Sequence, residues 1–253
     1  MPQMAIIWRT GSSRRVALLF ALAILAGAPI AGTETAAVVL WLFQFGAYAL
    51  VVRHSDGESR SIVLFSACWL AGHTLFGLGH WPYPLLISLV LFGLVLYAMP
   101  SARGLLARVR CGSITSAGFV VIGVFSVASV AALAVWSGGV PSKLIASPAR
   151  VSVAAGIALF AIVNATGEEF VWRFIAWEAS RRIVVPSAAV IGLQALSFGV
   201  AHLYGVPSGW QGIVLATVFG AALGWLRRST GGLAAPILVH IAADVGVGMI
   251  SVS

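Results

Sequence analysis

Long apolar runs separated by short polar or proline-marked breaks organise the chain. They cover approximately 16–32, 36–52, 62–79, 83–99, 115–136, 151–180, 187–203, 209–226 and 233–251. Each reaches about the 17 residues that a helix needs to cross the hydrocarbon core of a bilayer. Pro82, Pro84, Pro100, Pro141, Pro148, Pro186 and Pro207 stand at or near the boundaries, where a missing N–H costs least. The pattern predicts an all-α protein, a polytopic transmembrane helix bundle of about eight to nine spans. The first run follows Arg14 and Arg15, as the apolar region of a signal peptide would. Pro29 directly after Ala26-Gly27-Ala28 disfavours a cut there, so the segment reads as a signal anchor.

Composition removes the soluble alternatives. Of 253 residues, 60% are hydrophobic and only 9% are charged, against roughly 25% charged in a soluble domain. Such a chain could not cover a water-facing surface. The net charge of +8 would suit a nucleic-acid binder, but its placement points elsewhere. With the N-terminus in the cytosol, Arg9, Arg14, Arg15, Arg53, Arg60, Arg103, Arg108, Arg110, Arg181, Arg182, Arg227 and Arg228 all fall inside. Only Lys143 and Arg150 fall outside. The basic excess therefore reports orientation and attraction to anionic lipid, not DNA or RNA. The expected location is a multi-pass position in a cell membrane of the bacterial cytoplasmic type. Trp8, Trp81, Trp136, Trp210 and Trp225 lie near span ends and read as interfacial anchors. Cys68 and Cys111 have no ligand-like spacing and read as small hydrophobes.

The informative charges are those left inside apolar runs: Glu168, Glu169, Arg173 and Asp244, joined by His73, His80, His202 and His240. Each charge facing lipid at mid-helix would cost about 2.5–3.5 kcal/mol. Four would cost on the order of 10 kcal/mol, comparable to the stability of a whole domain. They are expected to face a shared polar interior and one another. Glu169 and Arg173 are four residues apart on one helical face, acid first, which suits a buried ion pair. Glu168 points about 100° away from Glu169 and is open to a separate role, as general base or acid or as a hydrogen-bonded cavity residue. Phe198 and His202 share a face, so the phenyl ring can pack beneath the imidazole. His240 and Asp244 repeat the spacing, and a carboxylate there can fix the imidazole tautomer or simply pair two helices. His73 and His80 also share a face, which fits interhelical hydrogen bonding better than a metal site. Gly220 and Gly224 form a small-xxx-small face allowing close helix approach.

These residues form three motifs in order: Glu168-Glu169-Phe170-Val171-Trp172-Arg173, Phe198-Gly199-Val200-Ala201-His202 and His240-Ile241-Ala242-Ala243-Asp244. As EExxxR, FxxxH and HxxxN/D they resemble the CPBP family of intramembrane endopeptidases. That family groups type II CAAX prenyl proteases with bacteriocin-processing and immunity-type proteins. The resemblance covers roughly residues 150–253 and divides the chain into 1–150, about five spans without a family motif, and 151–253, the catalytic core. It implies that Glu168 activates water with help from His202, and that His240 and Asp244 stabilise the oxyanion. Glu169, Arg173 and Phe198 would support them. Many members carry Asn where this chain has Asp244, and an ionised Asp cannot donate to an oxyanion.

The implied substrate is a membrane-associated protein or peptide, lipid-modified or with a hydrophobic tail. No cofactor is called for, and there is no H-E-x-x-H pair or G-x-S-x-G elbow. Two histidines, a glutamate and an aspartate are nevertheless a donor set that zinc accepts. Two other classes compete. One is a proton-coupled transporter relaying protons through the Glu, His and Asp cluster. The other is a catalytically silent binding or immunity-type homologue. Crowding of the polar residues into the last third disfavours the transporter, which often shows pseudo-symmetric halves. Counting about 1.5 Å per residue puts His240 about 10 Å and His202 about 24 Å from the cytosolic end. A tilt, a re-entrant segment or a break near Thr166-Gly167 would reconcile those depths.

Overall fold

The computed structural model describes residues 2–31, 33–52, 56–76, 82–137 and 150–251, with the side chains of 2–11, 101–102, 150–151 and 251 left aside. The described chain is all-α, without a strand. Among the described residues ten α-helices follow one another: α1 Pro2–Gly27, α2 Glu34–Val52, α3 Gly57–Phe76, α4 Tyr83–Ala98, α5 Ser116–Trp136, α6 Arg150–Glu169, α7 Trp177–Ile183, α8 Ser187–Ala201, α9 Gly209–Thr230 and α10 Ala234–Ser251. A π-helical segment, Phe170–Ala176, joins α6 to α7. Thr166 and Gly167 lie within unbroken helix, so the sharp break considered there does not occur.

Six stretches among the described residues are long and apolar enough to cross a membrane: Ser12–Ile30, Glu34–Val52, Ser116–Trp136, Ser152–Ile183, Ser187–Tyr204 and Gly209–Thr230. Tyr83–Ala98 and Ala234–Ile250 are apolar but shorter. The helix α3 has the length but opens on Gly57-Glu58-Ser59-Arg60-Ser61 and closes through Gly72, His73 and Thr74, which dilutes its apolar content. Six qualifying spans are therefore fewer than the eight or nine that the apolar runs suggest.

Two compact units interleave along the chain. The first comprises residues 1–109 and 174–221, the second 110–173 and 222–253. In the first, α1 packs on α2, α3, α7 and α8, and α3 packs on α4. Polar side chains tie these helices where apolar packing alone would let them slide. The Trp69 indole donates to the Leu25 carbonyl at 3.1 Å. Gln44 donates to the Val63 carbonyl at 2.9 Å while its own oxygen accepts from Ser66 at 2.8 Å. His73 donates from Nδ1 to the Trp69 carbonyl on its own helix, whereas the Trp69 indole reaches across to α1. His80 and Trp81 lie outside the described residues. Gly220 approaches α8 closely: a Cβ there would stand 3.0 Å from the Phe198 ring and 3.3 Å from Ala195 Cα.

One end of this first unit gathers charge. Asp56 caps α3, accepting from the Ser59 N–H at 2.7 Å, and pairs with Arg14 at 3.2 Å. Glu58 accepts from Arg108 at 2.6 Å and also pairs with Arg182. Glu178 takes Arg181 and Arg182, each at 2.7 Å. Burial alone would push the Asp56 carboxyl up, but the Ser59 N–H and hydroxyl and the Arg14 guanidinium hold it below the usual range. Glu58 is lowered likewise, with burial opposed by Arg108 and Arg182. Four segments that the arginine count assigns to one side of the membrane thus meet in one ionic cluster.

In the second unit α10 packs on both α5 and α6. Asn164 meets Asp244, and Glu168 lies near His240. The two helices therefore run antiparallel. The start of α10 is pinned by a short backbone ladder: Leu233 N–H donates to the Arg110 carbonyl at 2.9 Å and Ala234 N–H to that of Cys111 at 3.0 Å. Gly232 permits this approach, since a Cβ would fall 2.1 Å from the Cys111 carbonyl carbon. Phe119, Val120, Val124 and Val127 on α5 are exposed, an apolar face suited to acyl chains.

Candidate active site

Three of the predicted constellations are helical neighbours in fact. Glu168, Glu169, Arg173, His240 and Asp244 are all buried, although Glu, Arg and Asp are among the residue types least often found inside a protein. All five belong to the second unit, where α6 and α10 bring them together. Phe198 and His202 belong to the first.

Glu169 and Arg173 form the expected ion pair, Oε1 to Nη1 at 3.0 Å, with both side chains at 0% exposure. The same Glu169 oxygen accepts from His240 Nδ1 at 2.7 Å. The tautomer-fixing carboxylate is thus Glu169, across the helix pair, whereas Asp244 on the same helix was expected in that place. Asp244 Oδ1 stands 3.6 Å from His240 Nε2, beyond hydrogen-bonding distance. The i,i+4 spacing puts His240 and Asp244 on one face, but direct contact between α6 and α10 carries Glu169 closer to the ring. With Nδ1 committed, Nε2 is the nitrogen turned toward the remaining carboxylates. Glu168 Oε2 lies 3.7 Å from it. That oxygen is buried and has no hydrogen-bond partner among the described residues.

A sixth member was not anticipated. Asn164 Nδ2 donates to Asp244 Oδ2 at 3.0 Å, and Asn164 is itself buried. The signal was available: an amide in an apolar run, four residues before Glu168 and so on its face.

In the first unit, the Phe198 ring packs against His202 with centroids 4.3 Å apart in an edge-on arrangement, as the spacing predicted. His202 Nδ1 donates to the Phe198 carbonyl at 2.9 Å. His202 follows the last residue of α8 and opens a 3₁₀ turn, His202–Tyr204, so the helix ends at the imidazole. A Cβ at Gly205 would stand 3.1 Å from the ring, which makes glycine the residue that leaves the imidazole its place.

Among the described residues no group of three or more His, Cys, Asp or Glu converges as metal ligands would. Glu168 Oε2 and Asp244 Oδ1 stand 3.7 and 3.6 Å from His240 Nε2.

The second unit thus holds a buried carboxylate, an imidazole fixed through one nitrogen and a buried ion pair on apolar helices. Residues 150–246, less than half of the chain, match the family model described as type II CAAX prenyl endopeptidase Rce1-like. The resemblance to the CPBP family therefore holds over the segment that carries all three motifs. No curated protein and no solved structure matches the chain.

Proposed function

We propose that this protein is an intramembrane endopeptidase in which Glu168 activates water for peptide hydrolysis. The observation that carries the reading is Glu168 itself: a buried carboxylate whose Oε2 faces an imidazole nitrogen at 3.7 Å, the other nitrogen being held by Glu169 at 2.7 Å. In this reading a water bridges the two atoms at about 2.8 Å from each. Glu168 takes a proton as the water oxygen attacks the scissile carbonyl carbon. His240, with Nδ1–H kept on Glu169, donates from Nε2 to the tetrahedral oxyanion. The proton on Glu168 then passes to the leaving nitrogen as the C–N bond breaks, releasing an acid and an amine. Asp244 is an acceptor when ionised and serves as counter-charge to His240 rather than as oxyanion donor. By the resemblance His202 assists the attacking water.

The substrate class is a membrane-associated protein or peptide carrying a lipid or a hydrophobic segment. The family description suggests as first probe a peptide with a prenylated cysteine followed by three residues. The test is cleavage of that probe, and of hydrophobic leader peptides, by purified protein in detergent, with and without Glu168→Gln. Loss of cleavage at unchanged melting temperature supports the reading, and unchanged cleavage refutes the role of Glu168. Metal analysis of the same preparation decides the chemistry further: stoichiometric zinc lost on His240→Ala would replace the metal-free step. Proton flux in liposomes that vanishes with Glu168→Gln would move the protein to the transporter class.

A further inference from the structure

We infer that Asn164 is a positioning residue of this site, holding Asp244 so that one carboxylate oxygen is directed at His240. The inference rests on the protease reading and extends it to a residue outside the three motifs. Asn164 Nδ2 donates to Asp244 Oδ2 at 3.0 Å, and the other oxygen, Oδ1, stands 3.6 Å from His240 Nε2. The two oxygens of a carboxylate are equivalent until a donor engages one of them. The amide removes that equivalence and sets the side-chain rotation.

The antiparallel pairing of α6 and α10 makes the arrangement two rungs of one ladder. Asn164 faces Asp244 on one rung and Glu168 faces His240 one turn away on the next. The catalytic rung is thereby flanked by a rung that fixes its counter-charge. Asparagine is a poor helix former and costly in an apolar segment, so its place here follows from its partner. The charged and titratable groups around the pair are Glu168, Glu169 and Arg173 from α6 with the π segment, and His240 from α10. The third packed helix, α5, carries none over Ser116–Trp136. Asn164 touches no reacting atom in this scheme and acts through Asp244.

The test is a double-mutant cycle in the full chain, with the prenylated peptide as probe. Asn164→Leu is expected to lower kcat about ten- to a hundredfold with KM changed by less than about twofold. Placed on an Asp244→Ala background, the same change is expected to cost nothing more, because the group it acts through is gone. Losses that multiply in full, or an unchanged kcat in Asn164→Leu, overturn the inference. A second measurement stands apart from cleavage. The infrared carboxylate band that disappears in Asp244→Ala should shift in Asn164→Leu, and an unmoved band overturns the pairing. A wild-type chain that cleaves nothing sinks the protease reading, while the infrared arm still decides the pair. If Asn164→Leu does not fold, Asn164→Asp takes its place: it sets two carboxylates face to face, so kcat should fall at least about tenfold, and the loss should vanish on the Asp244→Ala background. An unchanged kcat, or a loss that persists without the Asp244 carboxylate, overturns the inference.

Discussion

Replacing Arg173 by methionine removes one partner of an ion pair that has no contact with water. Both side chains are fully buried, and the Glu169 and Arg173 atoms lie 3.0 Å apart. At an effective dielectric constant of about 20, a pair at that separation attracts by roughly 5 kcal/mol before desolvation is counted. Breaking a buried pair from one side costs about 3–5 kcal/mol, since the remaining charge keeps its desolvation penalty. Arg173→Met is therefore expected to lower the melting temperature in detergent by roughly 6–20 °C, at about 2–4 °C per kcal/mol for a chain of this size. Adding Glu169→Gln separates charge from geometry. Glutamine keeps an acceptor oxygen for His240 Nδ1 but carries no charge, so Arg173→Met/Glu169→Gln should recover most of the loss. Thermal unfolding followed by tryptophan fluorescence reads both. If Arg173→Met melts with the wild type, or the double variant is no more stable than the single, the pair is not the electrostatic anchor described above.

The remaining predictions concern the loops and the orientation. Asp56 is depressed in the folded state, so it contributes stability above its unfolded pKa, and that stability is lost as pH falls through its lower folded value. Melting temperature should fall from neutral pH toward pH 3, and Asp56→Asn should flatten the acid part of that profile; an unchanged profile would show that the α3 cap contributes nothing. Cys111 is exposed in a segment assigned to the cytosolic side, and Cys68 is buried. A membrane-impermeant maleimide should label the wild type from the inside of oriented vesicles only, and labelling from outside alone would invert the orientation.

Much of this protein was legible along the chain. The apolar runs determined an all-α, membrane-crossing architecture, because a bilayer leaves the backbone few other ways to satisfy its hydrogen bonds. The scarcity of charge made each buried charge informative, and i,i+4 spacing correctly paired Glu169 with Arg173 and Phe198 with His202. Those are local matters, settled by helical geometry within one segment. Tertiary structure decided what lies between segments. That Glu169 rather than Asp244 takes His240 Nδ1, and that Asn164 takes Asp244, depends on the antiparallel register of α6 against α10, on residues 71 and 80 positions apart. The number of qualifying spans also fell to the structure: polar ends shorten the apolar length of α3, and the described apolar part of α10 runs only over Ala234–Ile250. Periodicity tells which face of a helix a residue occupies, but not which helix that face will meet. The meeting depends on packing between side chains from distant parts of the chain, and in this protein it brings a glutamate, a histidine, an aspartate and an asparagine to one place.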